Sequence, residues 1–506
     1  MANYYLGIDA GTTSLKVAIF DRNGQLMAID RQEYTLLTPS ASIVELEAET
    51  YWSALKRAIK GVLVGSSIPS SAIATVCISS QGETFVPVDS HGVPTRRAIV
   101  WLDNRATEQA RQIVARFDID DIYHRTGQPE VAPTWPACKF LWLRQNEPEI
   151  FFRTAKFLWL EDYLLYRLTG KYVTERAQQT SSLLLDIQEK SWWLAMLEFV
   201  GITPDNLGQL MDPGQKVGPL LPDIAAELGL STKTEAVTGA MDQAIGALGA
   251  GNIAPGMVVE STGGALGIIA TLDKPIFDPQ RHIPCYFHAV PNTYCLLPWC
   301  QTAGMALKWF RDGFFSLETE RSLMEGRDPY DDMTAMAAGV PAGCGGLVAL
   351  PHLEGAFCPE FNPNAKAVFF GATLRHTRPH FIRSILESVA FMLKKNLELV
   401  EGMGIPVSQV RSMGGGARSP LWLQIKADVL QKPVQTVQVE EAACLGAAIL
   451  GAVAYGDYLS LQEAVKGMVH VKDIIAPNSA HKDVYQRRYA QYLELYDRLN
   501  PMFIQD

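Results

Sequence analysis

Tyr4-Tyr5-Leu6-Gly7-Ile8-Asp9-Ala10-Gly11-Thr12-Thr13-Ser14-Leu15-Lys16-Val17-Ala18-Ile19-Phe20-Asp21 opens the chain. It reads as two apolar strands joined by a tight turn of glycine and hydroxyl residues, with a carboxylate where the first strand stops. Glycine allows close approach, and the N–H groups of Gly11, Thr12 and Thr13 can line one concavity, to which the threonine and Ser14 hydroxyls add donors. Such a turn suits phosphate. Asp9 is useful beside phosphate only if a cation such as Mg²⁺, or its water shell, lies between. An ordinary hairpin, with Asp9 satisfied by turn amides, is the plainer alternative.

Working outward, 506 residues exceed one hydrophobic core and imply at least two domains. The composition, 48% apolar and 19% charged, is that of a folded globular chain. A net charge of −10 argues against a general nucleic-acid surface. Eight cysteines without a Cys-x-x-Cys pair point to reduced thiols. The N-terminus runs straight into a strand pattern with no signal-like segment, so a cytoplasmic location is expected. The longest apolar run, 442–454, is Ala/Gly-rich and too short for a bilayer, and predicts a buried helix packed close to its neighbours.

The first half alternates β-branched runs (72–79, 98–102) with helical patterns (49–64, 138–144), as an α/β domain does. Small residues and a proline at 249–256 break both rhythms and mark a boundary. Beyond it, Met257 to Leu272 repeats strand, Thr/Gly turn, strand, so the chain reads as two domains of one architecture. Thr262 and Gly263 sit in the second turn. A third glycine turn, Gly414-Gly415-Gly416-Ala417-Arg418-Ser419, leads into a helical stretch at 421–430 and offers bare backbone to a nucleobase or ribose.

G-x-x-x-x-G-K-[ST] is absent, and Gly249-Ala250-Gly251-Asn252-Ile253-Ala254 trails a helix, so neither a P-loop nor a dinucleotide fingerprint is present. His376 and His380 are separated by Pro379 and make no transition-metal motif. The catalytic candidate is Asp242, at the start of a small-residue helix after Val237-Thr238-Gly239-Ala240-Met241, with Gln243 beside it. Asp there can simply cap the helix. Beside phosphate-holding turns it can instead take the proton of a substrate hydroxyl. Gln81, Gly82 and Glu83, at the end of a strand, and Trp101 and Asp103 suit a polyhydroxylated ligand, carboxylates accepting from hydroxyls and indole covering carbon. A Glu83 ion pair and a core tryptophan are the alternatives.

From Gly7 to about Tyr455 the chain resembles the FGGY family of carbohydrate kinases, in the fold group of hexokinase, actin and the heat-shock chaperone ATPases. The motifs are Asp9-Ala10-Gly11-Thr12-Thr13-Ser14, Gly239-Ala240-Met241-Asp242-Gln243, Pro136 to Asn146 and Gly371 to Glu387. Shorter matches occur at 167–170, 303–312 and 441–448. The resemblance implies an α/β fold of two ribonuclease H-like, actin/hexokinase-type domains. These are expected at 1–252 and 253–506, with mixed sheets flanked by helices and a deep interdomain cleft. It implies transfer of the γ-phosphoryl group of ATP to a hydroxyl of a small ketose or polyol. Asp242 is then the general base, Asp9 serves Mg²⁺ through water, the turns at Thr12-Thr13 and Thr262-Gly263 meet phosphates, and Gly415, Gly416, Ala417 and Ser419 hold adenosine.

Gln81, Gly82, Glu83, Trp101, Asp103, Asp242 and Gln243 are the expected sugar contacts, with neither nucleic acid nor membrane as partner. A homodimer stands as the expected assembly, although the sequence does not fix the subunit number. Glycerol kinases usually carry Arg-Glu at Gly82-Glu83, tyrosine near Thr134 and phenylalanine near Ala265; xylulose kinases usually carry Met-His at Gly82-Glu83. The replacements favour a substrate larger than glycerol, a ketopentose such as xylulose or ribulose, or a pentitol or tetritol. Glycerol kinase is the same-class alternative. An ATP-switched protein of the actin or chaperone kind is the other, and it has no need of Glu83 and Trp101.

Overall fold

The opening hairpin forms. In the computed structural model, which describes residues 3–504, β1 (Tyr4–Ala10) pairs antiparallel with β2 (Ser14–Phe20), setting Asp9 opposite Lys16. The chain clusters into two compact units. The first holds residues up to 253, 271–295 and 441–470, and the second holds 254–270, 296–440 and the remainder. Two segments from the downstream half therefore pack with the upstream unit.

In the first unit β1 is flanked by β2 and, in parallel, by β4 (Ile73–Ser80); β3 (Leu26–Glu33), β5 (Lys216–Pro219) and β6 (Glu235–Met241) complete the sheet in the order β5-β6-β4-β1-β2-β3. β1 and β4 are almost wholly buried, as apolar runs without polar alternation require. The helix Ala48–Ser66 lays Tyr51, Leu55, Ile59 and Val62, spaced three or four apart, onto the core shared with Leu6, Ile8, Val17 and Ile19. The predicted strand at 98–102 is shorter, Ala98–Ile99, because the Asp103 N–H turns back onto the Val100 carbonyl at 3.0 Å.

The Ala/Gly-rich run forms the helix Ala442–Tyr455, buried against β1 and β4 of the first unit. A methyl group on Gly7 would lie 2.0 Å from the Cys444 carbonyl oxygen, and one on Gly446 would lie 2.0 Å from that of Ile245. Glycine is required by this close approach, and the contact fixes the end of β1 and the helix Asp242–Gly249 to one support.

The second unit repeats the scheme. β7 (Gly256–Thr262) pairs antiparallel with β8 (Leu266–Leu272) and parallel with β9 (Val407–Met413). β9 pairs parallel with β10 (Val434–Val437), and β11 (Val471–Ile475) closes the edge antiparallel. Hairpin, parallel neighbour, second parallel neighbour is thus the order in both units, as expected of two domains of one architecture. Among the described residues no helix is long and apolar enough to cross a membrane, and all eight cysteines are buried.

Candidate active site

The first turn is narrower in its use of donors than its sequence suggests. The Gly11 N–H closes the hairpin on the Ser14 carbonyl at 3.0 Å, and the Tyr34 hydroxyl donates to the Gly11 carbonyl. The amides of Thr12 and Thr13 are the ones left to meet a ligand. Trp101 reaches the same turn, its indole N–H donating to the Thr12 hydroxyl at 2.9 Å. A residue expected at the sugar and one expected at phosphate are therefore in contact.

Asp9, half-buried at the end of β1, lies beside Ser79 of β4. Burial pushes its carboxyl up to about 6 against the pull of Lys16, whose ammonium sits 2.6 Å from Glu441. Asp242 is the first residue of its helix and accepts its own helix N–H, from Gln243, at 2.7 Å. Its carboxyl is pushed up to about 7, by burial first and then by the charges of Asp9 and Glu83, with the Gln243 N–H opposing. Three carboxylates thus share one neighbourhood, near the point where a base ionises at neutral pH.

Glu83 is the central residue of a tight turn in which the Thr84 N–H reaches the Gly82 carbonyl at 2.7 Å. Its φ of 56° is left-handed and costs a non-glycine residue about 1–2 kcal/mol. The adjacent Gly82 does not take that conformation. Such strain persists only where neighbours enforce it, and here it directs a nearly enclosed carboxylate. Burial raises the Glu83 carboxyl, while the Ser181 hydroxyl and the Lys139 ammonium lower it. Lys139 is wholly buried and donates to the carbonyls of Val100 at 2.9 Å and Trp101 at 3.4 Å; burial lowers its pKa. The Thr134 hydroxyl also donates to the Trp101 carbonyl, so Trp101 is held by two donors at its main chain and by the Thr12 hydroxyl at its indole.

Gln81 lies in the same wall, its N–H on the Ala10 carbonyl at 3.0 Å and its side-chain amide on the Tyr51 hydroxyl at 3.2 Å. Gln178, from the short helix Arg176–Gln179, donates to the Gln81 carbonyl at 2.8 Å. Tyr34, Tyr51, Gln178 and Ser181 were not anticipated from the sequence. Lys139 lay within a family-like motif, Pro136 to Asn146, but carried no role.

Two expected ligand contacts are corrected. Asp103 is fully enclosed, with both oxygens bound to Arg105 at 2.9 and 2.7 Å and one also accepting the Val44 N–H at 2.7 Å. With Glu45 bridging Arg105 and Arg96, Asp103 belongs to a structural ion-pair cluster. In the second unit the Thr262 hydroxyl is also enclosed, donating to Glu260 at 2.6 Å. Only the exposed turn beyond it, Gly263-Gly264, faces solvent, and its carbonyls are held by the first amides of the helix Gly304–Phe314.

The Gly414–Ser419 turn abuts Thr262. A methyl on Gly416 would lie 2.7 Å from the Thr262 Cβ, whereas one on Gly415 would meet nothing within 4 Å. The Ser419 hydroxyl caps the helix Pro420–Leu430, accepting the Trp422 N–H at 3.3 Å. Gly415 and Ala417 stay open to solvent in whole or part.

No group of three or more His, Cys, Asp or Glu able to hold a metal occurs among the described residues. A hard cation at Asp9 therefore needs water and phosphate oxygens as its remaining ligands, which is how Mg²⁺ is usually bound beside a nucleotide. Asp9 alone fits that pattern, as a single carboxylate at the edge of a phosphate-type turn.

Residues 4–249 match the N-terminal domain, and 260–455 the C-terminal domain, of the FGGY family of carbohydrate kinases. The chain is 32% identical to a gluconokinase of Bacillus subtilis over 93% of this chain and 91% of that protein. It is 29% identical to a xylulose kinase of Staphylococcus epidermidis over 97% and 96%. The solved gluconate kinase of Lactobacillus acidophilus superposes with a TM-score of 0.90 at 25% identity, covering 99% of this chain and 98% of that one. With its two α/β units and its carboxylates gathered at the first of two like hairpins, the chain belongs to the FGGY family of carbohydrate kinases, ATP-dependent phosphotransferases with a sugar-type alcohol as acceptor.

Proposed function

We propose that this kinase phosphorylates a neutral ketopentose, such as xylulose or ribulose, or a pentitol. The observation that carries the reading is the charge of the site. Asp9, Glu83 and Asp242 are close enough for their charges to couple, while the neighbouring cations are already engaged. Lys16 is held by Glu441, and Lys139 by two main-chain carbonyls. Hydroxyl groups are donors to such a surface, whereas a carboxylate ligand is repelled by it.

In this mechanism Trp101 covers the carbon chain, its indole fixed by Thr12, and Glu83 accepts hydrogen bonds from hydroxyls, with Gln81, Gly82 and Gln243 completing the wall. Asp242 takes the proton from one hydroxyl as its oxygen bonds to the γ-phosphorus; the bond from that phosphorus to the bridging oxygen breaks, and ADP leaves. The amides of Thr12 and Thr13 receive phosphate oxygens. Asp9 would hold Mg²⁺ through water, and the ion would neutralise phosphate charge. Gly263, Gly415, Gly416, Ala417 and Ser419 serve the nucleotide.

The gluconokinase relative favours a second reading, an aldonate acceptor. It requires an unengaged cation at the site. The deciding experiment is coupled ADP release with xylulose, ribulose, pentitols, glycerol and gluconate, against a no-sugar control. Turnover on a ketopentose or pentitol is expected. Turnover on gluconate alone overturns the reading.

A further inference from the structure

Beneath the second hairpin lies an ion pair closed to solvent. Lys426, on the helix Pro420–Leu430, and Glu260, on β7, are both 0% exposed and meet at 2.6 Å. The ammonium has three N–H donors, and they go to Glu260, to the Thr262 hydroxyl at 3.0 Å and to the Ser412 hydroxyl at 3.4 Å. Thr262 and Ser412 in turn donate to the two oxygens of Glu260. Every polar atom of the pair is thus used, the condition under which a buried charge pair is tolerated at all.

The partners come from three places. Glu260 and Thr262 lie among the last residues of β7, Ser412 is the second-to-last residue of β9, two before Gly414, and Lys426 rises from the helix that Ser419 caps. Gly416 packs directly over the group, with a Cβ there only 2.7 Å from Thr262 and 3.4 Å from the Lys426 ammonium. A buried pair is a weak stabiliser compared with an apolar substitute, but its directional bonds specify a geometry. Here the geometry specified is that of the two turns, Gly263-Gly264 and Gly414 to Ala417.

We propose that Lys426 and Glu260 are positioning residues that lock these two turns in register for the nucleotide, without touching it. This rests on the reading that the turns serve ATP. The pair therefore acts on ATP affinity and leaves the sugar site, which is built from other strands, unaffected.

The test is steady-state kinetics on the full chain with Mg–ATP and the sugar found active. Lys426→Met with Glu260→Gln removes both charges together and avoids leaving either one buried alone. KM for ATP is expected to rise roughly tenfold or more, the scale at which loss of a supporting partner loosens a ligand site, with KM for sugar within about twofold. Thr262→Val, which deletes one link of the network and keeps the side-chain volume, is expected to move the same constant in the same direction by less. It decides the matter if the double variant does not fold.

A folded double variant with unchanged KM for ATP, or with both constants raised together, overturns the proposal. So does Thr262→Val without effect on KM for ATP. Gly415→Val separates this failure from that of the underlying reading. A Cβ there meets nothing within 4 Å in the protein, so a raised KM for ATP reports contact between the turn and nucleotide. An unchanged KM in Gly415→Val refutes the nucleotide assignment itself.

Discussion

Replacing the proposed base by its amide, Asp242→Asn, is predicted to make the protein more stable, and increasingly so as pH rises. Burial and the charges of Asp9 and Glu83 raise the Asp242 carboxyl from 3.8 to about 7 in the folded protein. Between those values the folded state keeps a proton that the unfolded chain has lost, so its stability falls with rising pH. The contribution is fully present below pH 3.8 and is lost as pH passes through about 7. At 1.36 kcal/mol per pH unit the loss is about 2 kcal/mol at pH 5.5 and at most about 4 kcal/mol at pH 8.

Asparagine cannot ionise, and its oxygen still accepts the Gln243 N–H, so the variant escapes the loss. The extra gain between pH 5.5 and pH 8 is about 2 kcal/mol, or a further 4–8 °C in Tm at roughly 2–4 °C per kcal/mol for domains of this size. Scanning calorimetry of both proteins without ligands, at the two pH values, measures it. A variant no more stable than the parent at pH 8, or one whose advantage is the same at both pH values, refutes the reasoning.

Activity should depend on the same group. kcat/KM for sugar is expected to climb with pH through an apparent pKa near 7 and then level, because Asp242 must be ionised to accept a proton; a flat profile between pH 5.5 and 8 contradicts this. Glu83→Gln is expected to raise KM for sugar far more than KM for ATP. It should also move that acid limb downward, since one of the charges repelling the Asp242 proton loss is gone. Equal changes in both KM values, or a limb that stays in place, count against Glu83 at the sugar. Gly7→Ala forces the helix Ala442–Tyr455 off β1 and is expected to cost about 1–3 kcal/mol, the usual scale of overpacking, in a urea melt; a neutral variant disproves the close contact.

Much of the fold was legible because periodicity reports burial. The two-strand opening, the helix Ala442–Tyr455 and the position of Asp242 at a strand-to-helix junction all follow from local pattern. Pairing across distance was not legible. Nothing near Thr262 announces that Lys426, 164 residues away, takes its hydroxyl out of solvent, and nothing near residue 441 shows that the following helix joins the first unit.

Asp103 misled for a local reason. A carboxylate after tryptophan suits a sugar, but Arg105 two residues on and the Val44 amide satisfy it completely. At Glu83 the local pattern offered a carboxylate at the end of a strand. Its left-handed backbone was hidden because the preceding glycine is the residue that normally takes such a conformation.

Single-turnover formation of phosphorylated sugar by Asp242→Asn, at saturating Mg–ATP and sugar, tests the central claim most directly. If Asp242 removes the proton from the attacking hydroxyl, the step slows by roughly 10²-fold or more while nucleotide binding is retained. Product formed at the parental rate by the folded variant contradicts the account.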